Sequence, residues 1–498
     1  MCKKQTRLFS YAVALLATLA GVTHSWAGDT RPNVLILYAD DMGYGDLAIQ
    51  NPASKIPTPN LDKLAEQGMR FTDGHSSSGI CTPSRYALLT GRYHWRDFHG
   101  IVQAFGNSVF KAEQLTLPEM LQEEGYHTAA IGKWHLGWDW SSIRKPGKRG
   151  RGFEDFDWEK PIADGPLAHG FDHYFGDTVI NFPPYAWIQD DRMLQIPDMQ
   201  KDDDLWKPLK EGKWECRSGP MVKGWDPYDV LPEMTRRAVT YIEGRKDETE
   251  PFFLYFAFPS PHAPIVPAEE FEGSSQAGPY GDFVVQTDWT CGQLLQALET
   301  AGLSDNTIVI FTADNGSEHY AYPRALKYDH WSSEPFRGAK RDIYEGGHHV
   351  PFVVKWPGVI KPASVSEALI SQVDLMATLG ASINRSIPEG EAADSQNLLP
   401  VLKGEATSVR RNMVHNTNEK AFAVRQGDWV LIAAKSGNHN GKRAAEFETK
   451  RGYTSGGNHA VELYNLREDP SQHKNLSKEY PEKVRTLQTL LKDIQDQS

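Results

Sequence analysis

The chain has 498 residues, with 53 Lys plus Arg against 65 Asp plus Glu, a formal charge of −12; 40% of it is hydrophobic and 24% charged. That balance excludes a disordered chain and supplies ample apolar material for a large core. A pI near 5.8 argues against a nonspecific nucleic-acid binder, whose affinity comes from Lys and Arg meeting phosphate, so no nucleic-acid partner is expected.

Lys3, Lys4 and Arg7 precede an apolar run from Tyr11 to Val22, and Ser25-Trp26-Ala27 follows as a small-x-small cleavage pattern. Residues 1–27 therefore read as a cleaved signal peptide, the run being shorter than the ~20 residues that span a bilayer. The expectation is a secreted or periplasmic protein with no stable membrane anchor. Cys2 leaves with the signal. Cys81, Cys216 and Cys291 remain, an odd number for an exported chain, and their positions leave open whether Cys216 and Cys291 pair.

Four short apolar runs read as buried parallel strands: Val34 to Tyr38, Thr128 to Ile131, Phe252 to Phe258 and Thr307 to Thr312. Helical spacing appears over Asn60 to Gln67, Leu117 to Glu124 and Asp288 to Ala301. Alternation of this kind predicts an α/β fold with a mainly parallel sheet flanked by helices. Between Lys145 and Asp229 the chain is rich in Gly, Pro, Trp and charge, and reads as a long excursion over one face of that sheet. Beyond Ser382, Ala421 to Arg425 and Trp429 to Ala433 flank Gln426-Gly427-Asp428 as a hairpin, Val461 to Leu466 adds a strand, and Glu479 to Gln495 closes with a helix. The domains expected are 28–381, which carries the chemistry, and 382–498, a smaller α+β subdomain.

Reactive residues fall at the ends of the predicted strands. Asp40 and Asp41 follow the first run, Lys133 and His135 the second, His262 the third, Asp314 and Asn315 the fourth. Open parallel sheets bind ligands at the carboxyl ends of their strands. One Asp after a strand is commonly a cap or turn residue; four strand ends delivering such groups together is a site. Asp40, Asp41, Asp314 and Asn315 offer only oxygens, and three crowded carboxylates need a cation. Oxygen donors favour a hard ion, Ca²⁺ or Mg²⁺, over zinc. The basic groups nearby suit a multiply charged oxyanion. Cys81, in Cys81-Thr82-Pro83-Ser84-Arg85, opens an apparent helix, where the dipole favours anions. It reads either as a low-pKa thiolate or as a small buried hydrophobe.

These residues resemble the type I sulfatase family. Cys81-x-Pro83-Ser84-Arg85 matches the family's sequence for converting cysteine to formylglycine, and Tyr86 to Arg92 extends the match. Asn33 to Asp46 resembles the opening strand and metal pair. Gly132-Lys133-Trp134-His135-Leu136-Gly137, Thr312-Ala313-Asp314-Asn315-Gly316, Gly338-Ala339-Lys340 with Tyr344-Glu345-Gly346-Gly347, and Glu462 to Leu476 are similar to later segments, in order. The resemblance implies an alkaline-phosphatase-like α/β fold with a smaller C-terminal domain. It implies one divalent ion, Ca²⁺ in most members, held by Asp40, Asp41, Asp314, Asn315 and the modified Cys81. It implies that hydrated formylglycine attacks sulfur. Arg85 would stabilise that group, Lys133 and Lys340 would neutralise sulfate, His262 would assist the leaving alcohol, and His135 would take the proton that lets sulfate depart. A formylglycine-generating or anaerobic sulfatase-maturating enzyme is an implied partner, and a sulfated carbohydrate the implied substrate, with a lean toward sulfated galactosamine or galactose.

His348-His349 departs from the family, where an aliphatic residue and arginine are common; the pair reads first as a surface feature or one behind the site, and second as a contact to substrate. His169 and His173 read as structural, and Pro183-Pro184-Tyr185 with Trp187 offers rings to a sugar subsite. Two other functions compete. One is a phosphoester or phosphonate-ester hydrolase of the same superfamily, disfavoured because no second set of metal ligands is evident. The other is an inactive sulfated-glycan binder, disfavoured because every basic and nucleophilic residue is present.

Overall fold

The structure, a computed structural model, describes residues 31–202, 205–206, 208–418, 420–453 and 460–497. The signal segment 1–27 lies outside the described residues. Ten strands form the main sheet: β1 (Asn33–Ala39), β2 (Met69–Phe71), β3 (His127–Gly132), β4 (His173–Gly176), β5 (Ile188–Gln189), β6 (Arg192–Met193), β7 (Phe252–Ala257), β8 (Thr307–Ala313), β9 (Phe352–Lys355) and β10 (Ser364–Ser366), in the order β10-β2-β9-β8-β1-β7-β3-β4-β5-β6. The five central strands, β8, β1, β7, β3 and β4, are parallel. The four strands expected from sequence are the innermost four of these five.

Strand β1 shows why such runs form the centre. Val34, Ile36 and Tyr38 enter one core; Leu35, Leu37 and Ala39 enter the other. Side chains alternate across a sheet, so a strand covered on both faces must be apolar throughout. Helices α1 (Pro59–Glu66), α4 (Val230–Glu243) and α5 (Gly278–Thr300) cover one face, and α2 (Cys81–Thr90) and α3 (Leu117–Glu123) the other. Helix α5 starts ten residues before the expected Asp288. Its opening Gly278-Pro279-Tyr280-Gly281-Asp282 reads as a breaker, but Pro at the first turn is tolerated and Asp282 accepts hydrogen bonds from the Gly273 and Ser275 amides.

The Lys145–Asp229 excursion is partly sheet. It contributes β4 to β6, plus a hairpin of Met199–Lys201 with Gly219–Met221. The short β4 has too few apolar residues to be read as a strand alone. The rings expected at a sugar subsite pack inward instead: Tyr185 donates to the Asn181 and Arg217 carbonyls, and Trp187 stacks on Phe175 at 4.9 Å. His169 meets Asp164 at 2.9 Å and His173 stacks on His127, as structural residues do.

A second, antiparallel sheet comprises β11 (Asn412–Asn418), β12 (Ala421–Gln426), β13 (Trp429–Ile432) and β14 (Glu462–Asn465). Helix α7 (Pro481–Asp496) lays Leu487 and Leu491 on Val414, Val424, Leu431 and Leu463, in one cluster with Ala87 of α2; α6 (Leu375–Ser382) lies just before this region. Pro32–Ser498 clusters as one compact unit. No helix among the described residues is long and apolar enough to cross a membrane.

Candidate active site

Register brings the strand ends together. Ala39 lies beside Ala313, and Ala257 beside Gly132. The backbone then ties the following residues: Asp314 N donates to Ala39 O, Asp40 N to Ser260 O, and Lys133 N to Ala257 O, at 2.8 to 3.0 Å. Asp41 and His135 hold left-handed backbone, φ +64° and +55°. Non-glycine residues adopt that conformation rarely, and functional sites are where it concentrates.

Every predicted site residue arrives in one buried cluster. Arg85 donates from Nε and Nη2 to Asp314 Oδ2, at 3.1 and 2.8 Å, and from Nη1 to Lys133 O. Lys133 Nζ lies 2.5 Å from Asp40 Oδ2, and Lys340 Nζ 2.5 Å from Asp41 Oδ1. Asn315 Nδ2 donates to Asp41 Oδ1 at 2.7 Å. His262 Nε2 is 3.7 Å from Asp41 Oδ2. Donor atoms of Asp40, Asp41, Cys81 and His262 all lie within 4.8 Å of one another. His135 sits beside them, its Nε2 3.0 Å from Val102 O and its backbone carbonyl accepting from Thr82 of the Cys81 helix.

Asp40, Asp41 and Asp314 are each paired with one cation, Lys133, Lys340 and Arg85, yet the cluster leaves carboxyl oxygens unsatisfied. Burial, and then the neighbouring Asp314, push the Asp40 carboxyl well above its usual range; burial also raises Asp41 against the pull of Lys340. Burial acts the same way on Asp314, but Arg85, Lys133 and Lys340 outweigh it and hold that group low. Asp40 Oδ1, Asp41 Oδ2 and Asn315 Oδ1 are buried without a hydrogen-bond partner. Three orphaned oxygens converging beside crowded carboxylates fit a hard divalent ion. Among these protein groups alone, Cys81 favours the neutral thiol. Burial pushes its thiol up to about 12 despite Lys133 and Lys340, so the unmodified side chain is a poor nucleophile at neutral pH. The three cysteines among the described residues are free, Cys216 and Cys291 included.

His348 and His349 are buried, not on the surface. His349 meets Glu345 Oε2 at 3.1 Å and His348 Nδ1 meets His75 Nδ1 at 3.1 Å. Glu318 went unread in the sequence. It lies 3.7 Å from Lys340 and pairs with Arg341; its place three residues after Asn315, past the same strand end, was the available signal.

Residues 32–383 match the sulfatase family model, and 337–497 match the N-sulphoglucosamine sulphohydrolase C-terminal model. The chain belongs to the type I sulfatase family. This sulfatase is 32% identical over 496 residues to the N-acetylgalactosamine-6-O-sulfatase of Bacteroides thetaiotaomicron, covering 93% of each chain. It is 32% identical over 405 residues to the mouse N-acetylgalactosamine-6-sulfatase, covering 79% of this chain and 71% of that one. A solved Bacteroides thetaiotaomicron sulfatase from work on glycosaminoglycan metabolism superposes with a TM-score of 0.79 at 31% identity, over 94% of this sulfatase and all of that chain. The family and these relatives make it a sulfuric ester hydrolase. Buried lysines and histidines stand in one cluster with Cys81 at its helix start.

Proposed function

We propose that this protein is an exported sulfatase that removes 6-O-sulfate from N-acetylgalactosamine units of a glycan. Two relatives that act on that ester, by their names, align with most of the chain. The observation that carries the chemistry is the convergence of Cys81, Asp40, Asp41 and His262 donor atoms within 4.8 Å, with three buried oxygens unpaired.

Cys81 is the position converted to formylglycine by a host maturation enzyme. Asp40, Asp41, Asp314 and Asn315, with the modified side chain at position 81, would hold one Ca²⁺. Bound there, the ion polarises the oxygens it meets and lowers the cost of negative charge. Lys133 and Lys340 leave their carboxylates to bind sulfate oxygens. Arg85, locked to Asp314, keeps a fixed positive charge against the nucleophile position. His262 serves the leaving alcohol from Nε2. His135, whose Nε2 proton is committed to Val102 O, presents an unpartnered Nδ1, the atom that accepts a proton as sulfate departs.

The decisive assay is sulfate release from N-acetylgalactosamine 6-sulfate by protein made in a maturation-competent host. Cys81→Ala should lose at least 10⁴-fold in kcat while still binding the sugar sulfate; residual turnover near wild type would exclude Cys81 as the nucleophile position. Ca²⁺ added to chelator-treated protein should raise Tm with concentration, and an unmoved Tm would discount the ion. The mature chain should begin at Gly28, as N-terminal sequencing would read.

A further inference from the structure

Asp177 is a buried carboxylate with both oxygens unpaired, and nothing in the sulfate-transfer machinery uses it. It follows β4 directly. Ile131 of β3 pairs with Phe175 of β4, so continuing the register sets Lys133 opposite Asp177. The two strand ends are pressed together: a Cβ on Gly176 would fall 2.1 Å from Gly132 O, and Tyr174 Oη donates to both Gly132 O and Asp177 O. Asp177 therefore stands beside the sulfate-binding lysine, one strand over. The next residues share its condition. Thr178 Oγ1 and Asn181 Oδ1 are also buried without partners. Thr178, Val179 and Phe182 line a narrow cleft together with His135 and Val102, and Thr178 O accepts from His135 N.

A buried carboxylate without donors is costly, and burial lifts this one to about 7 against the pull of Lys133. Arg217 does not relieve it. That guanidinium lies over Phe182 and donates to Gln103. What the stretch lacks is hydrogen-bond donors, and a carbohydrate hydroxyl is a donor of the right size.

We propose that Asp177 is the acceptor for the ring hydroxyl next to the sulfated arm of the substrate sugar, with Asn181 Oδ1 as a second acceptor on the same subsite. The proposal rests on the sugar-sulfatase reading. It makes Asp177 a specificity residue, because a site built to bond a hydroxyl rejects analogues that lack it.

The test compares kcat/KM of wild type and Asp177→Leu on three esters: N-acetylgalactosamine 6-sulfate, its 4-deoxy analogue, and 4-nitrophenyl sulfate as the reference for sulfate transfer. Wild type should prefer the sugar sulfate over the deoxy analogue by about 10²- to 10⁴-fold. Asp177→Leu should lower the sugar-to-aryl ratio by a similar factor, and should distinguish the two sugars by less than about fivefold, since its side chain accepts no hydrogen bond. Leucine is close to aspartate in shape and removes a buried charge, and the aryl ester together with a thermal melt reports a folded protein. A variant that still discriminates fully between sugar and deoxy sugar overturns the assignment. Wild type that hydrolyses the aryl ester but no sulfated sugar overturns the substrate reading, and the proposal with it.

Discussion

The imidazole of His262 lies with Nδ1 2.5 Å from Ala263 O and Nε2 facing Asp41. Nδ1 therefore carries the proton in the neutral ring, and Nε2 is the atom turned to the site. Burial, then Lys340 and Lys133, hold its pKa well below the usual imidazole value. A sulfate ester seated on those lysines brings negative charge that offsets them, so protonation at Nε2 becomes easier when substrate is bound. A proton donor matters in proportion to the basicity of the leaving oxygen. Sugar alcohols leave poorly, whereas 4-nitrophenolate leaves without help. His262→Ala should accordingly lower kcat on a sugar sulfate by about 10²- to 10⁴-fold, and far less on 4-nitrophenyl sulfate. Equal losses on the two esters would remove His262 from the proton path.

Helix α2 carries two site residues, Cys81 at its start and Arg85 one turn on, and ends at Gly91 with φ +62°. That left-handed cap is where only glycine is comfortable, and a Cβ there would lie 2.7 Å from the Ala392 Cβ. Gly91→Ala should cost about 1–2 kcal/mol or more from strain and crowding together, read as a lowered urea midpoint. An unchanged midpoint would mean the cap does not fix the helix. The elements that place the site were legible in sequence for a physical reason. Val34 to Tyr38 and Thr307 to Thr312 are apolar on both faces because they are central strands, and a polar residue just past such a run marks the sheet edge. The helix at Cys81 was legible for the same kind of reason, through Tyr86, Leu88 and Leu89. Strand β4 was not, because its pairing with β3, rather than its own composition, makes it a strand. Asp177 was lost with it. The inward packing of Tyr185 and Trp187 was equally hidden, since a ring's partners are tertiary. The buried His75–His348 contact joins residues 273 positions apart, a distance over which local pattern carries no information.

Across the whole molecule, the buried histidines His75, His94, His348 and His415 lie where the sulfatase region meets the C-terminal sheet, with the buried His349 beside His75. His75 meets His348; the rings of His348 and His415 of β11 lie tilted against each other with centroids 3.6 Å apart; His94 meets Asn416 at 3.2 Å. Asp73, Glu345, His349 and Arg425 face them, and Arg425 of β12 donates to Asp73 at 2.6 Å. Burial lowers all four pKa values: His94 to about 3, His415 to about 4, His75 and His348 in the same direction. The sign follows from linkage. Neutral in the fold but protonated near 6.5 when unfolded, each histidine makes the unfolded chain bind an extra proton as pH falls. Their stabilisation is complete above pH 6.5 and is lost from there toward pH 4, at about 1.4 kcal/mol per pH unit for each group. The carboxylates act lower. Burial works against Asp73 and Glu345, but Arg425 for the first and His349 for the second lead the groups that hold them down, so they lose stability only below about pH 4.5. Urea midpoints should therefore stay nearly level between pH 8 and 7, then fall between 6.5 and 4.5, before Asp73 and Glu345 are protonated, with the raised carboxyl of Asp177 offsetting part of the fall. His415→Gln should reduce the slope in that window by about one proton while leaving the level region level. A wild-type midpoint that is flat down to pH 4.5 would mean these imidazoles are already charged in the fold, and the meeting of the two regions would then owe nothing to their neutrality.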